Sequence, residues 1–519
     1  MTVKKEDYEK ILDSLQLGNP IAEYDNILQE ARVDTPVFQG VMNDKYDLVT
    51  GRKGAGKTAI FKIIGDLLGD FFLDKYKRVI LTGVNSRGEP IFNQFKDDFE
   101  KYTEEDFENF WKIYFILLIY NDFIKNAKFS EILKNCNNEV QLFKDACAAA
   151  GIPNIPARSS RKQLIEGVVV ILKNIKGVKS HIGVTPNLSL FGASIELEMK
   201  DKFDSTRANK NALYIHDIGL ALTKILEKCG YTIWIVLDRL DEVFERYSME
   251  EFNGLRGLLK AYRSFDLGNK GTIKVKIFLR DDIKLFLLDA GIFLKNFGKT
   301  IPTFPAATHI FAKESPVLNW TRDEIEKLIL YRLSLSEELR LNIGMTASNR
   351  EDIEQELRTK QTRLKYWNKI FPEKIVTSTS LDWIYTRLAD SNGVVTPRSV
   401  IDMLNGAVEY LKQNLQTNFE DSAYIFPEEA IKQGHAIASK SKLENDIYNE
   451  FPKDQENIKK LANGRGKLTT KELRKLFGKD WKNEVENLRR IGILRLVKNS
   501  NDYMVVFLFR PALGITYKY

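Results

Sequence analysis

An eight-residue segment, GRKGAGKT at positions 51–58, constrains the fold of this chain more than any other part of its sequence. The segment satisfies every fixed position of the pattern G-x-x-x-x-G-K-[ST]. The residues before it, YDLVT, predict a short buried strand, and the residues after it, beginning AIFKII, predict an amphipathic helix. A strand, a glycine loop and a helix in this order predict an α/β fold that binds the phosphates of a nucleotide.

The composition of this loop predicts how it holds a triphosphate. Its three glycines are expected to take left-handed backbone angles, so that successive N–H groups and the positive end of the helix dipole point inward. Lys57 is expected to reach the outer phosphates and to support catalysis there, and the Thr58 hydroxyl is expected to bind Mg²⁺. The predicted nucleotide contacts are Gly51, Arg52, Lys53, Gly54, Ala55, Gly56, Lys57 and Thr58.

A second motif, YTIWIVLDRLDEVF, begins at position 231. Its apolar run does not alternate with polar residues, which is typical of a strand buried on both faces of a parallel sheet. Asp238 ends this strand and is expected to hold Mg²⁺ through its water shell. Glu242 is the preferred residue to orient an attacking water, and Asp241 is the second candidate. The alternative is a solvated acidic cluster after a core strand.

Two further strands are predicted, KRVILTGV at 77–84 and IKVKIFL at 273–279. The second of these ends at Arg280. Because ligands of an open α/β sheet bind outside the carboxyl ends of its strands, Arg280 is predicted to sense the γ-phosphate during catalysis. The alternative is an ordinary ion pair of Arg280 with Asp281 or Asp282.

The segments GRKGAGKT, IVLDRLDE, IFLRDD and a later TPRSVIDML together resemble the additional-strand class of P-loop ATPases, near the bacterial STAND and origin-recognition ATPases. The resemblance implies a three-layer sandwich with a mostly parallel sheet, in which the Walker A and Walker B strands flank an inserted strand. It also implies a helical lid, a winged helix, and a switch or motor that uses ATP and Mg²⁺. Bacterial ATPases of this build often serve in conflict systems, including phage defence.

Within this resemblance, Arg398 corresponds to the lid arginine that senses nucleotide, at the start of a helix predicted over 399–411. The alternative is an exposed arginine at a helix start. A neighbouring segment, WTRDEIEKLILYR from Trp320, places its apolar residues on one helical face and predicts only a core stripe. Arg239 stands where STAND proteins commonly have a small residue.

The length of 519 residues exceeds what one hydrophobic core usually fills, so several domains are expected. The predicted domains are a helical lead-in over 1–39, an ATPase domain over 40–316, a helical lid over 317–427 and a winged helix over 428–519. An insertion over about 85–215 separates the two Walker motifs. A long helix is predicted within it over 103–124, and an antiparallel hairpin over 177–199.

The three cysteines and four histidines are scattered, so neither a disulfide framework nor a zinc site is expected. The first ten residues contain no apolar signal region, and every stretch of about 18 residues carries charge. The chain is therefore expected to be cytoplasmic, with no membrane partner.

The C-terminal end is basic, since residues 431–519 contain 19 Lys and Arg against 10 Asp and Glu. Helices are predicted over 469–477 and 480–490, followed by strands over 493–498 and 503–509, which is the layout of a winged helix. Such a module can contact DNA, although Glu484 and Glu486 would repel phosphates, and it can instead dock on a partner. The predicted DNA contacts are Lys482, Asn483, Arg489, Arg490 and Lys498.

Three functions follow from these features. The preferred one is an ATP-hydrolysing switch that acts on a protein effector or within a homo-oligomer. The alternative is a DNA-binding regulator whose nucleotide core serves as an assembly scaffold. A small-molecule kinase is a third option, although a large lid and a winged helix are unnecessary for that activity.

Overall fold

The computed structural model describes residues 5–84, 94–149, 159–182, 206–268, 271–289, 304, 307–415 and 423–515, without the side chains of 174–182, 206–216, 241 and 266–268. The chain is an α/β protein that divides into two compact units. The sheet unit consists of Pro36–Arg52 and Ile60–Leu318. The helical unit consists of Met1–Thr35, Lys53–Ala59 and Asn319–Tyr519.

The described residues form nine strands in three sheets. The strands are β1 Leu48–Gly51, β2 Arg78–Thr82, β3 Thr232–Leu237, β4 Ile273–Arg280, β5 Lys374–Ile375, β6 Ser378–Thr379, β7 Lys467–Leu468, β8 Leu494–Leu496 and β9 Tyr503–Val505. The first four make one parallel sheet, β5 and β6 form a short antiparallel pair, and the last three form a small antiparallel sheet.

Helices make up most of the remaining structure. Those before residue 319 are α1 Lys5–Ser14, α2 Pro36–Met42, α3 Lys57–Lys62, α4 Gly69–Tyr76, α5 Lys96–Phe99, α6 Glu104–Ile119, α7 Ser130–Leu133, α8 Asn137–Ala149, α9 Arg161–Ile182, α10 Thr206–Cys229, α11 Met249–Gly268, α12 Asp281–Leu288 and α13 Ala307–Ile310. Those after it are α14 Arg322–Leu333, α15 Glu337–Ile343, α16 Arg350–Glu356, α17 Lys360–Ile370, α18 Ser380–Leu388, α19 Pro397–Leu415, α20 Glu428–Ser441, α21 Tyr448–Glu450, α22 Gln455–Lys459, α23 Thr470–Phe477 and α24 Trp481–Ile491. Among the described residues, none of these helices combines the length and the apolar character that a membrane span requires.

The sheet unit is built around the parallel sheet, whose strand order is β1-β4-β3-β2. Gly51 of β1 lies opposite Arg280 of β4, and Leu237 of β3 lies opposite Ile277 of β4. Strand β3 is buried at every position after Thr232, as a strand covered on both faces should be. The inserted strand β4 therefore lies between β1 and β3, as the resemblance predicts.

Helix α6 forms the apolar centre of the sheet unit. It begins at a capping box in which Thr103 and Asp106 satisfy each other's backbone N–H groups. Its residues from Ile113 to Ile119 are all buried, which is typical of a helix enclosed on every side. Trp111 donates its indole N–H to the carbonyl of Gly254 on α11, 2.9 Å away. The long helix predicted over 103–124 is confirmed, and a π-helical turn completes it.

The hairpin predicted over 177–199 is wrong where the structure describes it, because α9 continues as a helix to Ile182. Its buried residues Leu164, Ile165, Val168 and Ile171 follow helical spacing, and the helix extends past Gly177. Residues 183–199 lie outside the described residues.

The helical unit joins the two ends of the chain around one core. In α1, Tyr8 donates its hydroxyl to the carbonyl of Ile425, 2.6 Å away and 417 residues along the chain. Arg332 of α14 forms a buried ion pair with Asp25, 2.6 Å between Nη2 and Oδ2. The N-terminal segment is therefore an integral part of this unit.

The C-terminal end of the helical unit follows the predicted order of elements. Helices α23 and α24 occupy the predicted helical segments, and β8 and β9 occupy the predicted strands. The second strand is shorter than predicted, because a 3-10 turn at Phe507–Phe509 follows β9. Strand β7, which was not predicted, pairs with β9 and gives the order β7-β9-β8.

Candidate nucleotide site

The glycine loop connects β1 to α3, in the strand, loop and helix context that the motif requires. Gly54 has a φ of +80° and Gly56 a φ of +103°, which are left-handed angles that favour glycine. Gly51 was also expected to be left-handed, and this expectation is wrong. Gly51 is the last residue of β1 and takes part in its pairing with β4.

Residues Lys53–Ala59 of the loop belong to the helical unit, and their backbone lies close to other side chains of that unit. A Cβ added at Gly54 would lie 3.3 Å from the Cβ of Arg398 and 3.5 Å from Oγ1 of Thr396. A Cβ added at Gly56 would lie 3.8 Å from the ring of Trp320. Close approach and left-handed angles together make Gly54 a position for glycine alone. Left-handed glycines allow successive backbone N–H groups to point the same way, and such groups are donors that phosphate oxygens can bind.

Trp320 fixes the middle of the loop. Its indole N–H donates a hydrogen bond of 2.8 Å to the carbonyl of Ala55, and both residues are buried. Tyr385 of α18 donates its hydroxyl to the carbonyl of Trp320 over 3.0 Å. The sequence analysis predicted only core packing for Trp320. The signal it did not use is that a buried indole N–H normally has a hydrogen-bond acceptor.

Arg398 lies in the first turn of α19, next to the loop, and its guanidinium pairs with Asp446. The distance from Arg398 Nη1 to Asp446 Oδ1 is 3.0 Å. Lys53 of the loop approaches the same oxygen at 3.4 Å, and it also approaches Oε1 of Glu450 at 3.4 Å. The structure thus brings together Lys53 and Arg398, two cations that sequence analysis chose separately.

Asp446 was not predicted as a site residue. It lies on a π-helical turn, Lys442–Ile447, and its Oδ2 accepts a 2.7 Å hydrogen bond from Lys442. Burial raises the pKa of Asp446, but the charges of Lys442, Arg398 and Lys53 outweigh burial and hold the pKa well below its usual range. The carboxylate therefore stays ionised at neutral pH. No local sequence pattern distinguishes it from a surface aspartate.

In the sheet unit, several predicted residues lie at the edge where the carboxyl ends of β1, β4 and β3 meet. Asp238 directly follows β3 and is buried, with 2% of its surface exposed. Since neighbouring strands lie about 4.8 Å apart, the ends of β1 and β3 are separated across β4 by about 10 Å. Gly51, Arg280 and Asp238 therefore share one edge of the sheet.

Glu242 lies in a 3-10 turn, Leu240–Glu242, just beyond this edge. Arg239 precedes the turn with a left-handed φ of 56°, and its Nη1 lies 3.4 Å from Oε2 of Glu242. Arg239 therefore contacts Glu242, the carboxylate that the sequence predicts to orient water. The backbone of Asp241 belongs to the same turn, but its side chain lies outside the described residues.

Arg280 forms a two-pronged ion pair with Asp282, in which both hydrogen bonds measure 2.9 Å. Arg246 bridges two carboxylates, because its guanidinium lies 2.9 Å from the carboxylate of Asp282 and 3.0 Å from that of the buried Glu251. Burial raises the pKa of Asp282, but the charges of Arg280 and Arg246 lower it more. The ion pair considered as the alternative for Arg280 is present, and it fixes the guanidinium at the sheet edge. Sensing of phosphate by Arg280 remains a prediction.

The remaining loop residues have distinct environments. Arg52 Nε lies 3.7 Å from Oδ2 of Asp281, while Lys57 begins α3 and is 8% exposed. Thr58 follows Lys57 in the same helix. In the described part of the chain, no group of three or more His, Cys, Asp or Glu residues could hold a metal alone.

The predicted DNA contacts lie on α24 and on the turn between β8 and β9. Lys482, Arg490 and Lys498 are exposed, whereas Arg489 pairs with Glu486 at 2.7 Å. Asn483 donates to Asp480 on the same helix end. The exposed charge at the first three positions is available for contact with an anionic partner.

Comparison of the chain with protein-family models, with curated proteins and with solved structures found no match.

Proposed function

We propose that this protein is a P-loop ATPase of the additional-strand class that acts as a nucleotide-dependent switch. The observation that carries the proposal is the loop GRKGAGKT, which follows β1 and is left-handed at Gly54 and Gly56. The sheet order supports it, because β4 lies between β1 and the acidic-ended strand β3. The four parallel strands and their helices are compatible with a three-layer P-loop sandwich.

In this proposal the loop backbone binds phosphate oxygens, and Lys57 neutralises the outer phosphates. Thr58 of the loop and Asp238 at the end of β3 are each candidate ligands of Mg²⁺, which when bound supplies charge neutralisation for the triphosphate. Glu242 orients water for attack, with Asp241 as the second candidate. Arg280 adds positive charge at the sheet edge, where Asp282 restrains its guanidinium. Arg398 senses the nucleotide from the first turn of α19.

Phosphate release from Mg-ATP by purified protein tests this function. Lys57→Ala is expected to abolish ATP binding, because Lys57 is the residue proposed to neutralise the outer phosphates. Glu242→Gln is expected to retain binding and to lose turnover by about 100-fold, the usual effect of removing a catalytic base. Glu245→Gln is the matched control, since that carboxylate is 72% exposed in the same segment and pairs with Lys96. Failure of the wild-type protein to bind Mg-ATP would refute the proposal.

The output of the switch is proposed to be assembly or contact with a protein effector. The order β7-β9-β8 with α23 and α24 supports a winged helix at the C-terminal end. This end is packed into the helical unit, where Ser391 donates its backbone N–H to the carbonyl of Gly492 after α24. Such packing suits a module that transmits the nucleotide-dependent state of the switch to a partner. Measuring particle mass with and without ATP tests whether nucleotide drives assembly.

A second candidate function is DNA binding, with the nucleotide core as an assembly scaffold. The exposed Lys482, Arg490 and Lys498 favour it, together with the basic composition of residues 431–519. Turnover measured with and without duplex DNA separates the two functions. Stimulation by DNA favours a DNA-coupled enzyme, and DNA binding that persists unchanged in Lys57→Ala favours the scaffold.

A further inference from the structure

Asp446 and Glu450 lie outside every sequence motif, yet both contact Lys53 of the glycine loop. The Oδ1 atom of Asp446 is shared by Lys53 at 3.4 Å and Arg398 at 3.0 Å, and its Oδ2 atom binds Lys442. The Asp446 side chain is 6% exposed and that of Glu450 is 19% exposed. A nearly buried carboxylate therefore pairs with Lys53 of the loop and with Arg398, whose Cβ would lie 3.3 Å from a Cβ added at Gly54.

The chemistry of this arrangement resembles that of a bound anion. A carboxylate offers Lys and Arg the same kind of acceptor oxygen as a phosphate group does. Lys53, Arg398 and Lys442 face the carboxylates of Asp446 and Glu450, so part of the positive charge that could bind a polyanion is already neutralised. Phosphate oxygens that approach Lys53 or Arg398 must compete with Asp446 for their N–H donors.

We propose that Asp446, assisted by Glu450, determines nucleotide affinity by acting as an internal counter-ion that phosphates displace from Lys53 and Arg398. This inference depends on the proposed nucleotide binding at the loop. It adds two carboxylates to that site and assigns them an opposing role.

The position of Asp446 gives the displacement a consequence for the C-terminal part of the helical unit. Asp446 lies on the π-helical turn between α20 and α21, and π-turns often occur at functional sites. When the contacts of Asp446 with Lys53 and Arg398 are lost, Lys442 on the same turn keeps its contact. The net charge around this turn then depends on whether the loop holds phosphate. The turn precedes α22 and β7 in the chain.

Titration of Mg-ATP, Mg-ADP and AMP into wild type and Asp446→Asn tests the proposal. Asparagine keeps the shape but not the charge, so Mg-ATP is expected to bind about tenfold tighter, the effect of one charge-assisted hydrogen bond. The gain should be largest for ATP and smallest for AMP. The gain in affinity caused by Asp446→Asn should also be smaller when Lys53→Gln is already present. A merely structural role of Asp446 would instead weaken binding of all three ligands.

Glu326→Gln is the matched control, because Glu326 is a 5% exposed carboxylate of the same unit that pairs with Arg363. Its nucleotide affinity should remain that of the wild type. If Asp446→Asn fails to fold, the more exposed Glu450→Gln replaces it, with an expected gain of about threefold. Unchanged or weaker Mg-ATP binding by a folded Asp446→Asn or Glu450→Gln protein overturns the counter-ion role. Absence of Mg-ATP binding by every protein, wild type included, instead overturns the nucleotide site itself.

Discussion

Trp320 donates its indole N–H to the backbone carbonyl of Ala55, in the middle of the glycine loop. The bond is buried, and Trp320 lies directly before the capping residue of α14. The position of α14 and the conformation of the loop are therefore linked by one hydrogen bond. Any change in the backbone at Ala55 has to be accommodated by this tryptophan.

Replacing Trp320 by phenylalanine is expected to weaken Mg-ATP binding by about three- to tenfold, because the Ala55 carbonyl loses its buried donor. The free energy of unfolding should fall by about 1–2 kcal/mol. Trp367→Phe is the control, since Trp367 makes an equivalent 2.8 Å bond to Ser380 in the same unit. Equal loss of nucleotide affinity in both variants would show that the Trp320 bond has no special effect on the loop. Calorimetric titration and urea unfolding measure the two quantities.

Gly54→Ala tests the left-handed loop. Placing a Cβ at a left-handed φ costs about 1–2 kcal/mol, and here the Cβ also meets Arg398 at 3.3 Å. Gly230→Ala carries similar backbone strain at a φ of +71°, with nothing within 4 Å of the added atom. Both variants should lose stability in thermal unfolding, but only Gly54→Ala should lose nucleotide binding. Retention of wild-type affinity by Gly54→Ala would contradict the assigned role of the loop.

Much of the parallel sheet and its glycine loop could be predicted because their signals are local. The strands β1, β3 and β4 are apolar runs that end in characteristic residues, and the loop between β1 and α3 has a fixed spacing. Their order in the sheet came from the resemblance, since spacing along the chain does not determine which strands are neighbours.

The parts that sequence analysis missed depend on long-range contacts or on very short elements. Asp446 meets Lys53 across almost 400 residues of chain, and no motif marks either partner for the other. Strand β7 has two residues, too few to show alternation. The alternation perceived from Gly177 onward was misleading as far as Ile182, because the backbone of α9 remains helical up to that residue.

Arg280 is expected to require its guanidinium geometry. Arg280→Lys keeps the charge but cannot make the paired bonds to Asp282, so ATP turnover should fall by about tenfold. Asp282→Asn should produce a smaller loss, because the arginine remains but is held less firmly. Initial rates at saturating Mg-ATP provide the measurement. Turnover and nucleotide affinity that are unchanged in Arg280→Ala would remove this residue from the site.

Asp402 of α19 predicts a specific pH dependence of stability. Burial raises its pKa to about 6, despite the hydrogen bond from Ser441. A carboxyl whose folded pKa exceeds its unfolded value stabilises the protein at low pH, and this contribution is lost as the pH rises from about 4 to 6. Asp402→Asn should therefore increase the free energy of unfolding by about 1–2 kcal/mol at pH 7.5 and by much less at pH 4.5.

Urea unfolding at the two pH values measures this difference, and Glu409→Gln, at an exposed position of the same helix, should show none. If Asp402→Asn increases the free energy of unfolding equally at both pH values, titration of this carboxyl is not the cause of the increase.

Charge reversal on α24 tests the DNA-binding alternative. Lys482→Glu combined with Arg490→Glu should weaken binding of labelled duplex DNA by at least about tenfold at low salt, because each substitution removes a contact with a phosphate group. The dependence of the affinity on salt concentration should decrease as well. The control reverses Lys360 and Lys365, two exposed lysines of α17, and should bind as the wild type does. Lack of DNA binding by the wild type at low salt would exclude this function.

The hydrogen bond from Tyr8 to Ile425 constrains how the protein can be synthesised. Helix α1 leaves the ribosome long before Ile425, yet Tyr8 makes its buried hydrogen bond to that residue, which is 417 positions later in the chain. The intervening sheet unit can complete its own contacts during that delay, whereas α1 must wait with its apolar side uncovered. Interrupted translation products are therefore expected to expose this helix, which makes it a natural mark by which chaperones and proteases distinguish unfinished chains from complete ones.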